Sequence, residues 1–291
     1  MKRPPGGRGG QSRRPSPPGR RRPGDGAGHA IAGGRPRRDH GLGGEQVEGR
    51  QAVAELLTAR RRRAKDVWVD AEAEPAPVLE RIALLAAEAR VPVRRVPRAR
   101  LLAEARTEAP QGVLAHAQAL PEAELDDVCR ATAPGGGPPF LLLLDGVTDP
   151  QNLGALLRSA EGAGVSGVVV PRHRAVHVTP AVTKAAAGAV ERVPMVPVGG
   201  LPAALVRARE LGVWLVGLAP DASESLFGLT LADQPVGLVL GSEDKGLSRL
   251  VRQRCDALVG IPLAGTLPSL NVAAAGAVAL FEVRRRRLGA G

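Results

Sequence analysis

The chain has 291 residues, 44% of them hydrophobic, which is enough for ordinary cores in two domains. Its net charge of +11 is concentrated: residues 1–44 hold eleven Lys and Arg against Asp25 and Asp39, so nine of the eleven net charges fall there. No apolar stretch follows the positive start, and no run of about 18 apolar residues occurs, so neither a secretory signal nor a membrane span is expected and the cytoplasm is the expected compartment.

Residues 1–44 are rich in Arg, Gly and Pro and poor in large apolar side chains. Such a segment cannot offset the entropy of ordering itself, so a disordered tail is expected, suited to sequence-independent contacts with RNA phosphates. The alternative is a solubilising extension. From Glu45 the pattern becomes ordered. VEGRQAVAELLTARRR reads as a helix, KDVWVD as a strand, APVLERIALLAAEAR as a helix, VPVRRV as a strand, and EAPQGVLAHAQ as the stretch holding the last strand. This predicts a small α/β domain over residues 45–125. PEAELDDVCR and the loop ATAPGGGPP predict a short helix and a linker over 126–138.

The second domain, 139–291, opens with FLLLLD, an apolar run of the kind a strand buried on both faces requires. Helix and strand patterns then alternate: helix 153–163, strand 167–170, helix 180–188, a strand near VPMVPV, helix 201–211, strands VWLVGL, VGLVLG and ALVGIP, and a final helix from about 270. That alternation predicts an α/β domain with a mostly parallel sheet. Gly162 to Gly167 matches G-x-G-x-x-G, but it closes a helix instead of opening one, so it reads as a helix end and turn and not as a nucleotide loop.

Three polar clusters fall at strand ends, where open α/β sheets place ligands. They are Asp149 to Gly154 with Arg158 beyond, Gly241 to Gly246, and Pro262 to Asn271. The chain's only two asparagines, Asn152 and Asn271, lie in the first and third. Each stands at or near a helix start, so helix capping is the competing explanation for both, and for Ser269. Cys129 and Cys255 lack any CxxC partner, and His173 and His177 lack a third ligand at suitable spacing, so neither a disulfide nor a metal site is expected. Five aromatic residues in the whole chain disfavour a single-strand binder that works by base stacking.

DPQNLGALLRSAEGAG, LVLGSEDKGLS and IPLAGTLPSLNVAAA resemble, in order, the three motifs of the SpoU (TrmH-type) ribose 2′-O-methyltransferases of the SPOUT class, and TKAAAGAVERVP resembles the stretch between the first two. VEGRQAVAELL and APQGVLA are similar to the amino-terminal substrate-binding domain of the large-subunit rRNA guanosine methyltransferases. The resemblance implies a small amino-terminal RNA-binding domain and a carboxyl-terminal α/β trefoil-knot domain that pairs into a homodimer, with the Ala/Gly-rich last helix as a close-packing surface. It implies S-adenosylmethionine as cofactor, held by backbone groups of Gly241, Ile261 and Leu270. It implies a methyl-transfer site lined by Asn152, Arg158, Glu243, Ser269 and Asn271, in which the amides and Glu243 steady Arg158. The substrate implied is 23S rRNA, at a guanosine ribose; the alternatives are tRNA, or a non-catalytic ribosome-assembly factor on the same scaffold. Where the family commonly carries Ser after SLNV, this chain has Ala273.

Overall fold

The computed structural model describes residues 41–172, 177–231 and 233–289. Residues 1–40 of the tail expected to be disordered, and His173, lie outside the described residues; residues 41–44 of that tail are instead ordered, with Leu42 buried in the core and Gly43 bridged to Val178.

The amino-terminal domain is built on β1 (Gln46–Glu48), α1 (Arg50–Ala59), β2 (Ala64–Asp70), α2 (Pro77–Glu88), β3 (Val93–Val96), α3 (Arg98–Glu104) and β4 (Val113–Ala117). Its four strands lie in the order β1-β4-β2-β3, antiparallel except for the β2–β3 pair. Strand alternation sends Val67, Val113, Ala115 and Ala117 to one face, where α1 and α2 cover them with Leu56, Leu57, Ile82 and Ala86. The opposite face packs Leu114 and Val96 under Leu101 of α3, with Trp68 at the margin. Two of these elements depart from the sequence reading. β1 occupies residues that were read as the beginning of a helix, and α3 falls in a stretch where no element was expected.

The carboxyl-terminal domain follows α4 (Leu125–Arg130) with β5 (Phe140–Asp145), α5 (Pro150–Ala163), β6 (Gly167–Pro171), α6 (Pro180–Ala185), β7 (Met195–Val198), α7 (Leu201–Glu210), β8 (Trp214–Leu218), β9 (Glu224–Ser225), β10 (Val236–Gly241), α8 (Arg249–Arg254), β11 (Ala257–Gly260) and α9 (Val272–Gly289). All its strands run parallel in the order β7-β6-β5-β10-β8-β11-β9. FLLLLD behaves as its pattern demands: Phe140, Leu142 and Leu144 face the layer of α5, α6 and α9, while Leu141 and Leu143 face α4, α7 and α8. The expected linker 126–138 cuts across α4, whose Val128 and Cys129 are buried against Leu141 and Leu143. This helix belongs to the second core. The G-x-G-x-x-G stretch ends α5 as read, with Gly164 left-handed at φ 77°.

The two domains are clamped together. Arg62, after α1, is buried and donates to Glu191 at 2.5 and 3.0 Å, and to the carbonyls of Gly44 (2.6 Å) and Gln118 (2.5 Å). Around it Arg192 pairs with Glu55 and Lys184 donates to the Ala109 carbonyl. Gly188, at φ 85°, leaves room for the Glu55 side chain that a Cβ there would strike.

Candidate active site

The order of the large sheet reverses at its centre. The chain runs outward through β5, β6 and β7, crosses to β8, and comes back to insert β10 between β5 and β8. Such a switch leaves a crevice at the carboxyl ends of the central strands. All three polar clusters converge there.

The first rides on the start of α5. Asp149 accepts from the Asn152 amide nitrogen at 2.8 Å and Pro150 follows at the first helical position, so Asp149 is the cap. The Asn152 side chain is thereby free for other work. Its Nδ2 donates to Glu243 Oε1 in the loop after β10, and its Oδ1 accepts from Asn271 Nδ2 at 3.1 Å. Asn271 Oδ1 in turn accepts from the amides of Ala273 (2.9 Å) and Ala274 (3.2 Å), so Asn271 is the cap of α9 and also a link in this chain. Capping thus explains part of Asn271 and none of Asn152. Ser269 lies exposed in the loop before α9 and has no side-chain hydrogen bond among the described residues.

The second cluster depends on one glycine. A Cβ at Gly241 would collide with the backbone of Gly246 and Leu247, because the loop 242–246 folds back onto the end of β10, with Ser242 and Gly246 exchanging hydrogen bonds of 3.1 and 2.8 Å. Only glycine tolerates that approach. Asp145, at the end of β5, accepts from the Ser248 amide at 2.7 Å and fixes the far side of the same loop.

Between the ends of β8, β10 and β11 lies a cleft of about 460 Å³. Its walls are Leu218, Leu240, Leu247, Val259, Ile261 and Leu270, with the backbone of residues 241–246 as one side. The expected cofactor residues Gly241, Ile261 and Leu270 all line it, and so do Glu243 and Ser269. Leu218, Pro220 and Asp221 were not singled out from sequence. The legible signal was their place just past the apolar run VWLVGL. Asp221 sits at the rim paired with Arg252 at 2.9 Å, whose hydrogen bond holds its carboxyl below the usual range. Cys255, behind the cleft, is pushed up to about 11 by burial and remains an unreactive thiol.

Arg158 stands apart. It lies six residues beyond Asn152, about 9 Å along α5 and on a different side. Its guanidinium is exposed and has no hydrogen-bond or ion-pair partner among the described residues. The expectation that Asn152, Asn271 and Glu243 steady it is not met within one chain. Arg158 shares a face of α5 with Gly162, against which Phe281 of α9 packs. The Ala/Gly face of α9 points inward: a Cβ at Gly276 would strike Leu156 and Leu240. The large apolar side chains that α9 leaves open are Val278, Phe281 and, at its far end, Leu288, at 38%, 49% and 66% exposed.

The crevice fits a compact ligand with both apolar and polar parts, since its volume, apolar walls and exposed backbone amides match the usual small-molecule site. No group of His, Cys, Asp and Glu suited to a metal ion occurs among the described residues.

Comparison with known proteins agrees with this architecture. The profile described as SpoU rRNA Methylase family matches residues 139–281, and that of RNA 2′-O ribose methyltransferase substrate binding matches residues 46–123. The 23S rRNA (guanosine-2′-O-)-methyltransferase RlmB of Pseudomonas putida is 40% identical over 247 residues, covering 84% of this chain and 97% of that protein. Among solved structures, the SpoU methyltransferase AviRb of Streptomyces viridochromogenes, in complex with AdoMet, superposes with a TM-score of 0.69 at 27% identity, covering 84% of this chain and 90% of its own. An AdoMet-bound rRNA methyltransferase from Sinorhizobium meliloti gives 0.68 at 25% identity, covering 83% and 87%. On its motifs, its fold and a relative matched along almost its whole length, the chain belongs to the SpoU rRNA methylase family.

Proposed function

We propose that the protein methylates the 2′-hydroxyl of a guanosine ribose in 23S rRNA, using S-adenosylmethionine. The observation that carries this reading is the meeting of Asn152, Glu243 and Asn271 at the mouth of a cleft that a side chain on residue 241 would close. The residues present fit the cofactor: Leu218, Leu240, Ile261 and Leu270 offer apolar contact to a flat base, and the backbone around Gly241 offers amides and carbonyls to its polar parts.

Bound S-adenosylmethionine supplies an already electrophilic methyl group. The chain's task is to bring a ribose hydroxyl in line with that methyl and help a very weak acid lose its proton. The linked Asn152, Glu243 and Asn271 hold the three loops at one spacing, which fixes the cleft's mouth. Arg158 offers a planar fork to an RNA phosphate and to charge developing on the hydroxyl oxygen, with a phosphate oxygen as proton acceptor. Ser269, at the rim, is placed to donate to the ribose. Ala273, in the first turn of α9, packs partly buried against the core.

Arg158 reaches this chemistry through a homodimer. The outward face of α5 and α9 carries Arg158, Val278 and Phe281 together, and two such faces in contact cover the apolar side chains and bring each arginine toward the neighbouring subunit. In the same reading the segment after β11 threads the loops beneath it as a trefoil knot, residues 45–125 bind the substrate and residues 139–291 carry out the transfer. Every polar residue of the cluster is present, which favours an enzyme over an assembly factor that has lost catalysis.

The test is methyl transfer from labelled S-adenosylmethionine to undermodified 23S rRNA, followed by mapping of the modified ribose. A single 2′-O-methylguanosine is expected. Label in tRNA alone would move the substrate, and label on a base would reject the chemistry.

A further inference from the structure

The amino-terminal domain carries a run of charge that the cleft does not use. Residues 90–100, RVPVRRVPRAR, hold Arg90, Arg94, Arg95, Arg98 and Arg100 with no acidic residue among them. They lie on β3 and at the start of α3, and β3 pairs with β2 alone, so it is an open edge of the sheet. Arg94 and Arg95 alternate to opposite sides of that edge, and Pro92 and Pro97 stiffen its two ends.

Many arginines of the body are spent on carboxylates, whereas those of this edge, like Arg158 and the α8 arginines Arg249 and Arg254, are not. Arg60, Arg62, Arg172, Arg192, Arg207, Arg209, Arg252, Arg285 and Arg286 each meet a carboxylate. Arg95 and Arg98 have no such partner among the described residues. Arg94 reaches Asp66 only at 3.6 Å, with its side chain 59% exposed, and Asp66 is already bound by His116 at 2.7 Å and by Trp68 at 3.1 Å. Arg100 lies over the Trp68 ring, 5.0 Å from its centroid, an apolar support that leaves the guanidinium's hydrogen-bond donors unspent. Glu104 faces His116 at 3.4 Å, and Arg98 shares a cavity with Asp70, Glu72, Glu74 and Glu108 without forming an ion pair with any of them. An edge of exposed guanidinium forks whose donors are not spent on close ion pairs complements a string of phosphates.

Its position has a consequence for the substrate. β1 is the strand against the methyltransferase domain, through α6 and the bridge between Gly43 and Val178. The β3 edge lies three strand spacings further out, about 14 Å. We propose that Arg94, Arg95, Arg98 and Arg100 form a phosphate track for the RNA substrate, remote from the methyl-transfer site, so that productive binding uses RNA well beyond the target nucleotide. This rests on the reading of the protein as an RNA methyltransferase and assigns the face by which its first domain holds the RNA.

The test is R94Q/R95Q/R98Q/R100Q in the full chain, with affinity for a long 23S rRNA fragment measured across salt concentrations. Each phosphate contact contributes about 0.7 to the salt slope on single strands, so the slope should fall by about three and the dissociation constant at low salt should rise at least about tenfold. R94K/R95K/R98K/R100K should recover most of the slope, and S-adenosylmethionine affinity should be unchanged in both. An unchanged slope would overturn the proposal, with new self-association of the variant then assigning the arginines to protection of an open strand edge. An equal loss per arginine from R249Q/R254Q, on α8 of the other domain, would also overturn it, since net charge alone would then set binding. If the parent binds with the expected slope and transfers no methyl group, the functional reading fails while the track stands.

Discussion

Arg158 is the residue on which the proposed chemistry turns. It has no hydrogen-bond or ion-pair partner among the described residues, so Arg158→Ala should leave folding and cofactor affinity within a few-fold while methyl transfer falls by two orders of magnitude or more, on the order of 3 kcal/mol of transition-state stabilisation. Arg158→Lys should recover little, because a point charge cannot reproduce a planar fork. Turnover near that of the parent in either variant would make Arg158 a surface arginine. Gly241 tests the cofactor in the same way. Gly241→Ala places a methyl group where the backbone of Gly246 and Leu247 already lies, so the loop 242–246 must move. S-adenosylmethionine affinity by calorimetry should drop at least about tenfold, and an unchanged affinity would place the cofactor elsewhere. The residue types of this site were legible in the sequence, because polar clusters closing apolar strands mark a crevice. Their partners were not. Asn152 meets Glu243 and Asn271 across 91 and 119 residues, a closure set by strand order and absent from any local pattern.

At the scale of elements, the site depends on helices that approach closely and are tied at their far ends. α5 lies against α6 because Gly154 has no Cβ to strike Ala185 or to come within 2.9 Å of the Ala186 nitrogen. The far end of α9 is stiffened from within by Glu282, which is 8% exposed and accepts from Arg285 at 2.8 and 2.9 Å and from Arg286 at 2.6 Å, and Arg286 in turn donates to the Phe227 carbonyl outside the helix. The hydrogen bonds from Arg285 hold its carboxyl well below the ordinary glutamate value, at about 2. A depressed folded value means stability that is fully present above the unfolded value of about 4.3 and is lost as pH falls toward 2. The urea midpoint of the parent should therefore exceed that of Glu282→Gln near neutrality, and the two should converge between about pH 4 and about pH 2. A gap that stays constant to pH 2 would show that the charge of Glu282 is not what steadies the end of α9. Arginines 284–287 stand at the end of α9, where the helix dipole favours cations. Their main partners are specific: Glu282 for two of them, and for Arg287 the carbonyls of Pro138 (2.8 Å), Pro139 (3.2 Å) and Gln234 (2.9 Å). The long buried strands were readable from sequence because burial on both faces leaves an unbroken apolar run. β1, with three residues, and α3, with seven, are too short to show a period.

At the scale of the molecule, the body is two domains held at a fixed relation by a buried ion pair. Nothing in the sequence marks Arg62 and Glu191 among the chain's many charges, since 129 residues separate them and each becomes distinctive only when both lose water. Burying two charges is costly, and removing one partner is worse than removing both. Arg62→Met should cost about 3 to 5 kcal/mol in chemical denaturation, and Arg62→Met with Glu191→Leu should regain most of it. A loss below about 1 kcal/mol for the single variant would mean the domains are held by other contacts. One compact unit thus carries both the basic edge of the first domain and the cleft of the second.

The most direct measurement is a map of 2′-O-methyl groups across 23S rRNA from cells carrying the intact gene, from cells lacking it, and from cells lacking it but supplied with Arg158→Ala. The account predicts one guanosine ribose that is methylated in the first and unmethylated in both others, with every other position unchanged. An identical map in all three would contradict it, and a lost methyl group restored by Arg158→Ala would leave the enzyme standing but remove the residue placed at the centre of its chemistry.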